Sequence, residues 1–277
     1  MVNIKYSQNF FKNKNQLSEI INKANISKDD IVLDIGAGSG NITEELTKYT
    51  YKVIAYELDS KYFNVLKQKY PNITVINQDF LESKLPNKPF KVFSNIPFSL
   101  TSDIVNKLTD IGSKMNEGYL FVQKESAYRY MGIPLNTQIS AILSYRYLLS
   151  IIDEFNREDF RPVPNVDIVL LRIKKREAFQ ADFSLYRDFV TYIFNQRNAN
   201  VIDTFKEIFT FEQLKHIKKD INKEGYIKPS DIPAEYYLEI FKYFKTNGMG
   251  YEGKAKGYYD KHTRQHLKRE KIHRTRT

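Results

Sequence analysis

Ile31-Val-Leu-Asp-Ile-Gly-Ala-Gly-Ser-Gly40 is the stretch on which the fold turns. A short, mostly apolar run ends on three glycines at alternate positions, and a helical pattern from Asn41 to about Tyr49 follows at once. An apolar run closed by glycines reads as a buried strand. Glycines at a strand–helix turn let the backbone bend sharply and approach a ligand where a Cβ would clash. The spacing is Gly-x-Gly-x-Gly, not the dinucleotide Gly-x-Gly-x-x-Gly, so the loop alone does not choose its ligand.

Outward from this stretch the pattern alternates. Val53–Glu57 predicts a second strand, Ser60 an N-cap for a helix to about Tyr70, and Ile73–Ile76 a third strand after the break at Pro71-Asn72. Lys91–Asn95 and Tyr119–Gln123 predict two more strands, with a Thr101–Leu108 helix between them. Strands alternating with helices indicate βαβ units and a parallel sheet. Leu148–Phe155 and Val166–Ile173 follow without an intervening helix, which predicts an antiparallel pair at the sheet edge. Ser7-Gln-Asn-Phe-Phe11 is polar and early, and its pattern predicts a capped turn. Beyond Lys174-Lys-Arg176 the alternation stops, and helical spacing over about 185–245 (Phe189, Ile193, Phe194; Val201, Phe205, Ile208; Leu238, Phe241, Phe244) predicts a small helical domain. The expected division is 1–176, 177–246, and a basic flexible tail over 247–277.

Composition narrows the functional classes. At 277 residues and 42% apolar content, the chain can bury one sizeable core plus a small partner domain. The absence of cysteine excludes disulfides, thiolate zinc sites and cysteine nucleophiles, and fits the cytosol. No apolar run approaches the roughly 20 residues that span a bilayer, and residues 1–14 lack the apolar stretch of a secretory leader. A cytoplasmic protein with no membrane or metal partner is expected, and nothing marks a dimer surface, so a monomer is expected too. The net charge of +10 favours a polyanionic partner. Residues 248–277 hold nine basic residues against three acidic ones, so six of those ten charges sit in this arm. A compositional bias would spread evenly; this end is expected to touch phosphates without regard to sequence, the alternative being a disordered solubilising tail.

Three further features carry chemistry. Glu57, about twenty residues beyond the glycine loop, is placed to accept hydrogen bonds from both ribose hydroxyls of an adenosine-type cofactor. Asp79, after the third strand, reads equally as an acceptor for an adenine amine or as a helix or turn cap. Ser94-Asn-Ile-Pro-Phe98 ends the fourth strand at the carboxyl edge of the sheet. An adenine amine is a poor nucleophile because its lone pair is delocalised into the ring. Acceptors at the Asn95 side chain and the Ile96 carbonyl would favour a more tetrahedral nitrogen and aim it at a donor, which is positioning and electrostatics. Pro97 stiffens the loop, and Phe98 offers a flat face to an extruded base; such stacking is worth roughly 1–3 kcal/mol. Phe160-Arg-Pro-Val-Pro164 reads equally as a stiff loop holding Phe160 against the opposite face of the base or as a hairpin with a buried Phe.

At these residues the chain resembles the ribosomal RNA adenine N-methyltransferases, the superfamily of the Erm resistance enzymes and the KsgA-type housekeeping dimethyltransferases. The resemblance rests on Tyr6-Ser-Gln-Asn-Phe-Phe11, Val32–Gly40, Glu57-Leu-Asp59, Gln78-Asp-Phe80, Asn95-Ile-Pro-Phe98, Gln123-Lys-Glu125 and Phe160–Pro164, in family order over roughly residues 4–175. It implies an α/β, Rossmann-like class I methyltransferase sheet with a small C-terminal helical domain that binds RNA. It also implies S-adenosyl-L-methionine as cofactor and an unpaired adenine of ribosomal RNA as substrate. Carried over by position, Asn9 and Phe11 would contact the methionine end of the cofactor, Gly36 and Gly38 approach it through backbone, and Glu57 hold its ribose. Asp79 would read its adenine, and Asn95 touch both cofactor and target amine, with Ile96 and Phe98 completing the catalytic set and Phe98 and Phe160 holding the substrate. Phe98 stands where Tyr is usual, and Phe11 where Leu is common. The short helical segment and basic tail resemble those of several resistance enzymes, which implies methylation of large-subunit RNA and protection from macrolide, lincosamide and streptogramin B drugs. Gln123-Lys-Glu125 is close to the housekeeping pattern, which keeps a small-subunit target as the alternative. An NAD-dependent oxidoreductase on the same sheet has no use for Asn95-Ile-Pro-Phe98, and an RNA-binding module without catalysis would not depend on Asn95.

Overall fold

A computed structural model describes residues 10–177, 182–247 and 252–265. The chain forms two compact units, Met1–Ala127 with Leu148–Lys175, and Tyr128–Tyr147 with Arg176–Thr277.

The first unit carries the sheet. Its elements in chain order are β1 (Phe10–Phe11), α1 (Lys14–Lys23), β2 (Ile31–Ile35), α2 (Asn41–Leu46), β3 (Val53–Tyr56), α3 (Ser60–Lys69), β4 (Thr74–Ile76), β5 (Phe90–Asn95), α4 (Thr101–Thr109) and β6 (Met115–Gln123). Next in the chain come the helices α5 (Lys124–Met131) and α6 (Gln138–Ser144), the latter belonging to the second unit, and then β7 (Tyr147–Phe155), β8 (Phe160–Arg161) and β9 (Ile168–Lys175). The large sheet has seven strands in the order β4-β3-β2-β5-β6-β9-β7. The pairs from β4 to β6 are parallel, and β9 runs antiparallel to β6 from Glu117↔Lys174 to Gln123↔Ile168. β9, the last strand in sequence, therefore lies inside β7 rather than outside it. The central strands are buried along most of their length (β6 over Glu117–Val122, β9 over Ile168–Leu171), as expected of strands covered on both faces.

Two local readings are corrected. The N-cap of α3 is Asp59, whose side chain accepts the Lys61 N–H at 2.7 Å, and Ser60 is already helical. Phe10-Phe11 is not a turn: it pairs antiparallel with Phe160-Arg161, Phe11 opposite Phe160. What overrides the polar local pattern is burial, because Phe11, Phe121, Phe155 and Phe160 form one aromatic cluster with ring centroids 5.2–6.0 Å apart.

The second unit is helical: α6, then α7 (Phe183–Phe194), α8 (Val201–Phe205), α9 (Phe211–Glu224), α10 (Ala234–Asn247) and α11 (Glu252–Ala255). Its core joins Tyr186, Phe189, Phe241 and Phe244 to Ala141, Ile142 and Tyr145. The expected continuous first domain over 1–176 is thus interrupted, since Tyr128–Tyr147 belongs to the helical unit. The reason is local. Asn136 donates to the Ile232 carbonyl at 2.6 Å, the Tyr186 hydroxyl donates to the Ala141 carbonyl at 2.8 Å, and α6 buries its apolar face among the aromatics of α7 and α10. Part of the expected flexible tail is also ordered: residues 252–255 and 258–265 are helical. Among the described residues no helix is long and apolar enough to cross a membrane, and no group of His, Asp or Glu could hold a metal ion.

Candidate active site

The backbone ladder between β2 and β5 runs from Ile31↔Phe90 to Leu33↔Val92 and stops there. Past that point one fully buried hydroxyl spans the strands. Ser94 Oγ accepts the Ile35 N–H at 2.9 Å and donates to the Ile35 carbonyl at 2.7 Å. The sheet order turns here, with β3 and β4 to one side and β5 and β6 to the other, and ligands of open α/β sheets bind at such switch points. Ser94 therefore fixes the separation of the two loops that leave the sheet where it opens. The only sequence signal for this role is a polar residue inside Phe90-Lys-Val-Phe-Ser-Asn95, which does not name its partner.

The glycine loop uses its freedom. Gly36, Gly38 and Gly40 all have positive φ (71°, 54° and 87°), a region that side chains disfavour. A Cβ at Gly40 would come within 2.6 Å of Leu66 Cδ2. The loop is tied to β3 by the Gly36 and Ala37 N–H groups, which donate to the Tyr56 carbonyl at 2.8 and 3.0 Å. Glu57, 3% exposed, accepts the Gly38 N–H on one oxygen at 2.6 Å and the Asp59 N–H on the other at 2.8 Å. Asn77, also unforeseen, donates to the carbonyls of Glu57 and Leu58 at 2.8 and 3.0 Å, fastening this turn to the end of β4. The two motifs adjoin: a Cβ built on Gly36 would lie 3.7 Å from Pro97 Cδ.

Beneath the loop, Asp34 accepts the Thr43 hydroxyl at 2.6 Å. Burial pushes its carboxyl up to about 7, against the lowering pull of hydrogen bonds from Thr43 and Ser94, with Glu57 repelling the charged form. The native state thus holds a proton that the unfolded chain releases near pH 3.8. Asp34 contributes stability that is full below pH 3.8 and lost as pH rises to about 7. Asp34→Asn, which does not titrate, should gain on the wild type by up to a few kcal/mol in urea unfolding as pH is raised from 4 to 8. A pH-independent difference would contradict this.

The other expected residues fall as follows. Asn95 is half-buried as the last residue of β5, Ile96 is buried, and Phe98 is half-buried at the start of the 3-10 turn leading into α4. Asp79 is half-buried; its carboxylate accepts the Leu81 N–H at 2.8 Å, and its carbonyl accepts the Glu82 and Ser83 N–H groups at 3.1 Å. The Lys107 ammonium from α4 closes this turn by donating to the carbonyls of Phe80, Leu81 and Ser83. Burial pulls Lys107 below the usual lysine range. No sequence signal separates it from an ordinary helix lysine. Asn9 lies outside the described residues.

Two expectations change. Phe160 is completely buried in the aromatic cluster, with the Phe11 ring 5.3 Å away, so it has no free face for a base and serves as core. Phe11 is 4% exposed. Its ring is spent on the same cluster, and what it can turn toward a ligand is backbone, its carbonyl meeting the Asn41 side-chain amide at 3.4 Å.

The sequence profile of the ribosomal RNA adenine dimethylase family matches residues 1–246. A Bacillus licheniformis protein named rRNA adenine N-6-methyltransferase is 33% identical over 223 residues, covering 77% of each chain. A Fusobacterium nucleatum protein named ribosomal RNA small subunit methyltransferase A is 30% identical over 260 residues, covering 87% of this chain and 97% of that one. The crystal structure of the 23S rRNA methyltransferase ErmE superposes with a TM-score of 0.76 at 23% identity, covering 86% of this chain and all of that one. The architecture is the Rossmann-like methyltransferase sheet with a helical C-terminal region.

Proposed function

From the premise that the chain belongs to the ribosomal RNA adenine dimethylase family, whose members are S-adenosylmethionine-dependent rRNA adenine N-methyltransferases, we propose that it methylates the exocyclic amine of an adenine in large-subunit (23S) rRNA. It does so in the cytoplasm, and protects ribosomes from macrolide, lincosamide and streptogramin B drugs. The observation that carries the chemistry is the apposition of the Glu57-braced glycine loop and Asn95-Ile-Pro-Phe98, with Gly36 against Pro97 at the switch point of the sheet.

The residues fit S-adenosylmethionine. Each Glu57 oxygen accepts one bond from within the chain, and a carboxylate oxygen has capacity for more, which leaves acceptors for the ribose hydroxyls. Gly36 and Gly38 admit the cofactor to the backbone, Asp79 takes its adenine amine, and Phe11 contributes main chain. When bound, the cofactor supplies an electrophilic methyl group. Asn95 Oδ1 and the Ile96 carbonyl accept the two amine N–H bonds of the target adenine and orient its nitrogen, while Phe98 stacks on the base.

The choice of large-subunit RNA is supported by the short helical segment and the basic tail, which resemble those of several resistance enzymes. Expression in a macrolide-susceptible bacterium should raise resistance to all three drug classes and leave a methylated adenine in large-subunit RNA. Unchanged susceptibility with methylation confined to small-subunit RNA would move the chain to the alternative, a KsgA-type 16S dimethyltransferase.

A further inference from the structure

The segment after α10 lies beyond the residues that match the family profile, yet its described part is built into the helical unit. Asp188 on α7 is 6% exposed and uses both carboxylate oxygens on it. Its Oδ2 accepts the Gly257 N–H at 2.7 Å and its Oδ1 the Tyr259 N–H at 2.9 Å. These are the leading amides of the helix at 258–265, where a carboxylate satisfies orphan donors and complements the helix dipole. Gly257, at φ +77°, supplies the turn between α11 and that helix. The Arg187 guanidinium lies 3.9 Å from the Tyr259 ring centroid and 3.8 Å from the Asp260 carboxylate. Tyr258 meets the Tyr192 ring edge-on at 5.1 Å, and Ala255 is completely buried.

A solubilising tail needs none of this. A charge removed from water must be recovered by well-made contacts, and here the contacts made by Asp188 have one result: they fix the direction of the helix. What the helix and the turn before it then present is basic. Lys256, Lys261 and Arg264 are exposed, while Asp260, the acid among them, is turned to Arg187.

We propose that this clamped helix and the turn before it form an RNA-docking surface on which Lys256, Lys261 and Arg264 contact backbone phosphates irrespective of sequence, with Asp188 as the latch that presents them. The inference rests on the family's substrate being RNA and not on which subunit is modified. RNA binding is measured without cofactor, so its failure and that of the proposed target are separate results.

The full chain carrying Lys256→Gln, Lys261→Gln and Arg264→Gln together is compared with wild type. The probes are a transcribed ribosomal RNA fragment and an unrelated duplex RNA of equal length. Affinity for both should fall about 10-fold at 0.1 M salt, and the log–log salt slope should shrink by about 0.7–0.9 for each phosphate that is no longer neutralised. Cofactor affinity and the methylation rate at saturating RNA should hold. Asp188→Asn keeps every basic residue of the helix but can accept only one of the two amides. It should raise KM for RNA severalfold with kcat unchanged, its fold checked by circular dichroism; Tyr259→Leu, which removes the Arg187 stack, takes its place if it misfolds. An unchanged salt slope in the triple variant overturns the proposal. So does wild-type KM in the latch variant, because a free tail would then do as well. Reduced affinity for anionic phospholipid vesicles with RNA binding intact overturns it too.

Discussion

Asn95→Ala is expected to slow methyl transfer to RNA by about 100- to 1,000-fold, the range typical of removing one preorganised polar group from a reacting centre, while the protein unfolds close to the wild-type temperature. The two halves of this expectation have different causes. The Asn95 backbone is held by its ladder position opposite Phe121, and the neighbouring Ser94 hydroxyl is bonded to Ile35. Both attachments stay in place when the side chain is cut back to alanine. What is lost is the amide oxygen that, under the proposed function, holds one N–H of the target amine. An adenine amine without that acceptor stays flat and conjugated, and the rate falls even when cofactor and RNA are both bound. Single-turnover methylation measures the rate, and calorimetric titration with S-adenosylmethionine separates it from cofactor binding. Asn95→Asp is the control, because a carboxylate still accepts a hydrogen bond; it should recover part of the rate. Full activity in the alanine variant would remove Asn95 from the mechanism.

The difference between what sequence reveals here and what it conceals follows from how each residue acts. The places of Gly36 in the loop after β2, Glu57 after β3 and Asn95 at the end of β5 are legible because each stands at a fixed distance along one strand–turn unit. The strands β2, β3 and β5 are legible because short apolar runs between breakers have few alternatives. Phe160 is not legible. A stiff loop holding a phenylalanine looks the same whether the ring faces a base or a core, and only Phe11, Phe121 and Phe155 closing around it decide the question. The same cluster makes a strand of Phe10-Phe11, which local polarity assigns to a turn. Ser94, Asn77 and Lys107 stay hidden for a related reason: each acts on backbone groups far away in sequence, and no spacing rule encodes such a partner. The excursion Tyr128–Tyr147 escapes because a contiguous boundary is the default reading, whereas α6 is claimed by aromatics that come forty or more residues later.

Glu57→Ala should cost both cofactor affinity and stability, and this double loss distinguishes it from Asn95→Ala. The carboxylate is 3% exposed and accepts two backbone amides, from Gly38 at 2.6 Å and Asp59 at 2.8 Å. Hydrogen bonds to a charged group contribute about 1.5–3 kcal/mol each. Part of that is offset by the cost of keeping a carboxylate out of water, and the amides left behind can be rehydrated only by opening the loop. A net destabilisation on the order of 2 kcal/mol in urea unfolding is therefore expected. The larger effect falls on the cofactor. Losing the ribose acceptor and the brace on Gly38 together should weaken S-adenosylmethionine binding by about 100-fold or more, since two charge-assisted bonds account for at least that much. Glu57→Gln tests the geometry more finely. It preserves the side chain's length, but its amide can accept from only one of the two N–H groups and points a donor at the other. Affinity and stability should both fall between alanine and wild type. If the alanine variant were to bind the cofactor as tightly as wild type while losing stability, Glu57 would be a loop brace and nothing more, and the ribose would have to be held elsewhere on the rim.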